Sequence, residues 1–244
     1  MNRKLKVLGL AFLAVFAMSA LTASAAQAQL KVTTTGPTWL TFSGSKAKGG
    51  DTLTNQTFTV GTLQVACAAV SGHATVTNGA TEVTATDITY SECASNLPGP
   101  ITITMNNCDY RFHGGKTDPS NAEHGIEGEV DLICPPGVAG PVIDLYTSAA
   151  NHTAGTTLCK LTVTPFVNKK EITYTNTAGS PNDFDLRATV PGIGFTKEGS
   201  ILCPNGEKTA TYEGEITVTG FKDLNSKAGE EPIKEGERTG VTIS

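Results

Sequence analysis

Cys108-Asp109-Tyr110-Arg111-Phe112-His113 and Glu129-Val130-Asp131-Leu132-Ile133-Cys134 decide the fold. In the first stretch Cys108, Tyr110 and Phe112 alternate with Asp109, Arg111 and His113; in the second Val130, Leu132 and Cys134 alternate with Glu129 and Asp131. An extended backbone points successive side chains to opposite faces, so this period of two sets one row against a core and the other in water. Both stretches read as strands, with their cysteines on the apolar row.

The pattern recurs along the chain. Ile101, Ile103 and Met105 alternate with Thr102 and Thr104, Cys159, Leu161 and Val163 with Lys160 and Thr162, and Phe184, Leu186 and Val190 with Asp183, Asp185, Arg187 and Thr189. Further strands are expected over 58–60, 63–67, 74–77, 82–90, 171–175 and 212–219, about a dozen in all. Val60-Gly61-Thr62 reads as a tight connection and Asn78-Gly79 as a hairpin turn. Thr occupies 36 positions after residue 28, and its branched Cβ suits the wet face of a strand. Charged residues make up only 17% of the chain and no helical stripe follows residue 28, which excludes coiled coils and long-helix folds. The expectation is an all-β, antiparallel, sandwich-like fold, immunoglobulin-like or similar, stabilised by disulfides. It forms a single domain over 29–244, or two similar halves, about 29–137 and 138–244.

Residues 1–28 read as a signal peptide. Three cations within Met1–Lys6 precede an apolar run over 7–21, and Ala26-Gln27-Ala28 supplies a cleavage site, with Ala23-Ser24-Ala25 as an alternative. A membrane anchor would need a longer apolar run. With Arg3, Lys4 and Lys6 gone, 15 cations face 23 anions and the formal charge moves from −5 to −8, which disfavours nucleic acid as a partner. All six cysteines, Cys67, Cys93, Cys108, Cys134, Cys159 and Cys203, lie beyond the signal, and an even number in an exported chain points to disulfides. Six cysteines allow 15 pairings. Sequential pairing is favoured because each pair then brackets one run of strands. A zinc site is disfavoured, since no two cysteines stand two to four residues apart.

Motifs for catalysis are missing. Neither a Gly-x-Ser-x-Gly turn nor a His-Glu-x-x-His helix occurs, and Gly114-Gly115-Lys116-Thr117 lacks the leading Gly and the helix of a phosphate cradle. The four histidines, His73, His113, His124 and His152, sit in no motif; His113 and His124 flank a loop near Glu123 and Glu127, but alternation places His113 on an outer face. A glycosidase pair could draw on Asp109, Asp131, Asp183 or Asp185, all expected on solvated outer faces. Trp39, the one Trp, reads first as a core or edge anchor, with stacking on a sugar ring as the alternative that would make it a ligand contact. Tyr146, Tyr174 and Tyr212 read as core. Segments 43–51, 114–125 and 223–238 read as loops, and Asn55 and Asn151 begin glycosylation acceptor triplets.

The segments Thr57–Cys67 (TFTVGTLQVAC), Tyr90–Cys93 (YSEC), Asn107–Phe112 (NCDYRF), Gly128–Pro135 (GEVDLICP), Glu171–Asn176 (EITYTN), Val190–Thr196 (VPGIGFT), Cys203-Pro204 and Tyr212–Gly220 (YEGEITVTG) carry a family likeness. In their order and spacing the chain resembles a group of Thr-rich, six-cysteine secreted proteins of soil actinobacteria, over roughly residues 55–221. The resemblance implies export, disulfides and an all-β fold, and carries no catalytic residue with it. The sequence thus leads to a secreted, non-enzymatic protein of the extracellular space or cell envelope. It needs no cofactor or metal and has a structural or interaction role toward another protein or a cell-wall polysaccharide. The alternatives are a polysaccharide- or surface-binding module and, less favoured, a hydrolase.

Overall fold

The computed structural model describes residues 30–32, 38–45, 56–114, 125–147, 157–199, 203–222 and 238–243. The expected signal segment, most of the three expected loops, His124, His152, Asn55 and Asn151 fall outside these residues. Alternation becomes fourteen strands: β1 (Leu30–Val32), β2 (Thr38–Ser45), β3 (Gln56–Val60), β4 (Leu63–Val76), β5 (Glu82–Ser95), β6 (Ile101–Thr104) and β7 (Asp109–His113), then β8 (Ile126–Ile133), β9 (Val142–Tyr146), β10 (Thr157–Val163), β11 (Phe166–Asn176), β12 (Asp183–Gly199), β13 (Thr209–Lys222) and β14 (Val241–Ile243).

The pairing runs in a circuit. From β13 it passes through β3, β4, β5, β7, β8, β11 and β12 and returns to β13, every pair antiparallel. β2 shares the slot of β3, lying between the C-terminal part of β13 and the C-terminal part of β4. The protein is all-β, antiparallel and disulfide-stabilised, as its alternation predicts. The layers of the expected sandwich are joined along both sides into one eight-position barrel, which leaves the circuit no open strand edge. Strands from both ends of the sequence close it, since β13 pairs with β2 and β3.

Long strands leave the barrel by bending. β12 keeps Phe184, Leu186, Ala188 and Val190 inward, then its pairing with β13 shifts between Val190 and Ile193, with Gly192 at φ 67°. Beyond that bulge, 195–199 pair with β10, and β10, β9 and β6 extend a small wing sheet. β5 is re-phased in the same way. Val83 and Ala85 are buried, Asp87 takes a positive φ of 52°, and the next buried position is Ile88, an odd spacing that restores the inward direction. The strands expected over 63–67 and 74–77 are one strand of fourteen residues. Gly72 in its middle marks close packing rather than a break, because a Cβ there would collide with Ile88 Cδ1. Gly61 and Gly79 form the two expected turns, at φ 56° and 78°.

All three disulfides follow the sequential pairing: Cys67–Cys93, Cys108–Cys134 and Cys159–Cys203. The first two tie directly opposed residues of neighbouring strands, with Cα atoms 3.9 and 4.1 Å apart. The third ties the wing to the segment that enters β13. β14 closes the end of the barrel away from the wing. Asn176 grips its backbone in both directions, donating to the Ile243 carbonyl (2.8 Å) and accepting from the Ile243 amide (3.0 Å), and Val241 and Ile243 are buried. The outward rows are Thr, Asp, Glu, Lys and Arg, the reverse of a barrel that faces lipid. Among the described residues, no helix is long and apolar enough to cross a membrane.

Candidate functional site

The inward rows do not fill the barrel. At the end nearer the wing a cavity of about 100 Å³ remains, partly open to solvent, between barrel residues such as Phe42, Val65, Ile88 and Leu186 and wing-side residues such as Ile103, Ile143 and Val163. That is room for roughly seven to ten waters, or as many heavy atoms of a ligand. The opposite end is solid, packed with Leu40, Phe184, Val218 and Val241, each at most 2% exposed.

A row of uncharged polar side chains crosses the apolar wall. Tyr90 and Tyr110 bring their hydroxyls to 3.1 Å. Tyr212 donates to Gln56 Oε1, and Gln56 Nε2 donates to the Glu215 carbonyl at 2.7 Å. That carbonyl can only accept, so it fixes which end of the Gln56 amide faces Tyr212. Burial pushes all three tyrosines above the ordinary phenol range, with the neighbouring phenols adding to the effect at Tyr90. Gly214 makes the arrangement possible. A Cβ at this buried position would run into Gln56 Oε1 and stand 2.9 Å from the Tyr212 hydroxyl.

The outer face of the same strands carries a charged cluster. Arg111 donates to Asp131 Oδ2 from Nε (3.1 Å) and Nη2 (2.7 Å), and His113 Nε2 lies 2.9 Å from the same oxygen. Glu82 stands 3.8 Å from His113 Nδ1. Register explains the convergence, because Arg111 faces Asp131 across β7 and β8 while His113 faces Glu82 across β7 and β5. Asp131, expected in solvent, is buried at 1% exposure, and its partners keep its carboxylate hydrogen-bonded there. The hydrogen bond to Asp131 holds the Arg111 guanidinium above its usual range. The geometry of these contacts is that of a cross-strand clasp.

Other residues nominated by the sequence also find partners. Asp183 accepts from Thr219 (2.7 Å) and Ser180, and Asp185 accepts from Thr217 (2.8 Å) and Thr177 (3.3 Å). Outer-face threonines thus clothe these carboxylates with hydroxyl donors. Asp109 is raised above the usual carboxylate range by partial burial and then by Asp87. Trp39 is no platform: it is 7% exposed, its ring stacks on His73 at 4.5 Å, and His73 in turn meets Asp87 at 3.1 Å. Its outward position on β2 is covered, so Trp39 is the buried anchor that the sequence favours over a ligand contact. Tyr174 is core as expected, donating to the His113 carbonyl at 2.9 Å and lying over Gly128, where a Cβ would strike its ring.

Sequence reasoning missed the polar row inside the barrel. One signal was present, because Gln56-Thr57-Phe58-Thr59-Val60 places Gln56 in the apolar register of Phe58 and Val60. A polar residue in a buried register needs a buried partner. No known protein family, curated protein or solved structure matches the chain.

Proposed function

We propose that the mature protein is a secreted, non-enzymatic binding protein of the extracellular space or cell envelope, and that its barrel takes up one small, largely apolar molecule. The observation that carries this reading is the cavity. Protein interiors pack to crystal-like density, and an eight-position barrel is just wide enough either to fill with side chains or to hold one small ligand. Here one end is filled and the other is not. Export is supported by the signal-like residues 1–28 and by three disulfides, which persist in oxidising compartments. Membership of the six-cysteine actinobacterial group is supported by the order of the cysteine strands. A role toward cell-wall polysaccharide loses its best anchor with Trp39 buried.

Toluene is a suitable first probe for a cavity of this size. Ligand-observed NMR on the oxidised mature protein should show saturable binding, abolished by Ala85→Leu, which fills the cavity wall where Ala85 is fully buried. Near-ultraviolet circular dichroism checks that the variant remains folded. No saturable binding, or equal binding in a folded Ala85→Leu protein, would sink the reading.

A further inference from the structure

We infer that the barrel selects an uncharged molecule with a hydrogen-bonding head, an alcohol or carbonyl compound rather than a carboxylate, and that Tyr90, Tyr110, Tyr212 and Gln56 read that head. This rests on the barrel being a binding cavity and names the chemical class of its occupant.

Three features of the wall carry the inference. Among the described residues, none that lines the cavity bears a charge, so an anionic head would have no cation to meet and a cationic head no carboxylate. Burying an unpaired ion is far more costly than burying a hydroxyl that finds partners. The polar groups are also gathered rather than scattered, since Tyr90 and Tyr110 on β5 and β7 face Tyr212 and Gln56 on β13 and β3 across the barrel, close enough for Tyr212 to act on the ionisation of Tyr90. Burial raises all three phenols, in keeping with a lining that disfavours negative charge.

The donors and acceptors are adjustable at one end only. The Glu215 carbonyl forces Gln56 Oε1 toward Tyr212, so the Tyr212 proton is committed. Within the Tyr90–Tyr110 pair either oxygen can donate, which leaves the pair able to give a proton to a carbonyl or to accept one from a hydroxyl. Such a pair suits a neutral head of either kind and supplies no countercharge to an ion. Tyr90 and Tyr110 are therefore the residues that would touch the head, while Gly214 and Gln56 position Tyr212 behind them.

The test uses the oxidised mature protein and three matched six-carbon probes, hexan-1-ol, hexane and hexanoate, each displacing toluene under ligand-observed NMR. Hexan-1-ol should bind at least about tenfold more tightly than hexanoate at pH 7, and hexanoate should gain as the pH falls into the carboxyl range and its neutral form appears. Hexan-1-ol should exceed hexane by about fivefold, an advantage that Tyr90→Phe removes while hexane binding stays. Toluene binding with hexanoate equal to hexan-1-ol, or with hexane equal to hexan-1-ol, overturns the head-group inference and leaves the cavity reading standing. Failure of toluene and all three probes overturns both.

Discussion

The two faces of β7 handle polarity in opposite ways. Inward, Tyr110 meets Tyr90 through neutral hydroxyls in a wall without charge. Outward, one and three residues further along, Arg111 and His113 converge on the Asp131 carboxylate. The same strand thus supports an uncharged network on one face and an ionic clasp on the other. The difference teaches where charge is tolerated. Arg111 keeps 35% of its side chain in solvent and His113 25%, so the outer cluster shares its charge with water, whereas the half-buried inner phenols line a cavity without charge.

The largest expected effect separates the faces by pH. Tyr90, Tyr110, Tyr174 and Tyr212 all sit above the ordinary value of 10.0 in the folded protein, so folding stability is intact below pH 10 and is lost as pH rises above it, when only the unfolded chain can ionise. Each phenol that the fold keeps protonated adds a loss of up to about 1.4 kcal/mol per pH unit. Phenolate absorbance should therefore rise for these tyrosines together with loss of near-ultraviolet dichroism. A smooth titration near pH 10 with the fold intact would show that the inner face is wet.

Next comes the tie between the faces' strands. Removing the Cys108–Cys134 bridge by a Cys108→Ser, Cys134→Ser double substitution should cost about 3 kcal/mol in denaturant unfolding. A variant with an unchanged midpoint would mean that the barrel holds β7 and β8 without it. Asp131→Asn on the outer face should cost about 2 kcal/mol, since it leaves Arg111 and His113 facing a neutral amide at a buried position. On the inner face Tyr110→Phe should cost only about 1 kcal/mol, because a neutral hydrogen bond is lost while the ring still packs. If the two substitutions cost the same, the contrast between the faces has no energetic content. The smallest effect belongs to Asp109, whose carboxyl is raised by partial burial and by Asp87. Its ionisation weakens the folded state as pH climbs above 3.8, so Asp109→Asn should raise the unfolding free energy at pH 7 by less than about 1 kcal/mol after solvent screening, read as a slightly higher denaturation midpoint.

Much of the fold was legible because alternation is a one-dimensional record of burial. The rows Cys108/Tyr110/Phe112 and Phe184/Leu186/Val190 point inward as read, and the cysteine pairs follow the strand order. Closure was not legible, because it depends on β13 meeting β2 and β3 more than 150 residues earlier, and no local pattern encodes that pairing. Bulges at Asp87 and at Pro191-Gly192 also shift the period, so a strict count of two loses the inward row halfway along β5 and β12. At the site, Tyr212 was correctly placed in an apolar row, yet its partnership with Gln56 spans 156 positions and became visible only in three dimensions. Trp39 was read as an anchor, yet the cover that His73 gives it comes from the neighbouring strand and is not written in its local sequence.

The most direct test of the central claim is a methyl-resolved NMR titration of the mature protein with hexan-1-ol. Shifts should concentrate on Val65, Ile88, Leu132 and Leu186 around the cavity and spare Val241 and Ile243 at the packed end. Shifts spread over the outer surface, or none at saturating alcohol, would contradict a binding cavity in the barrel.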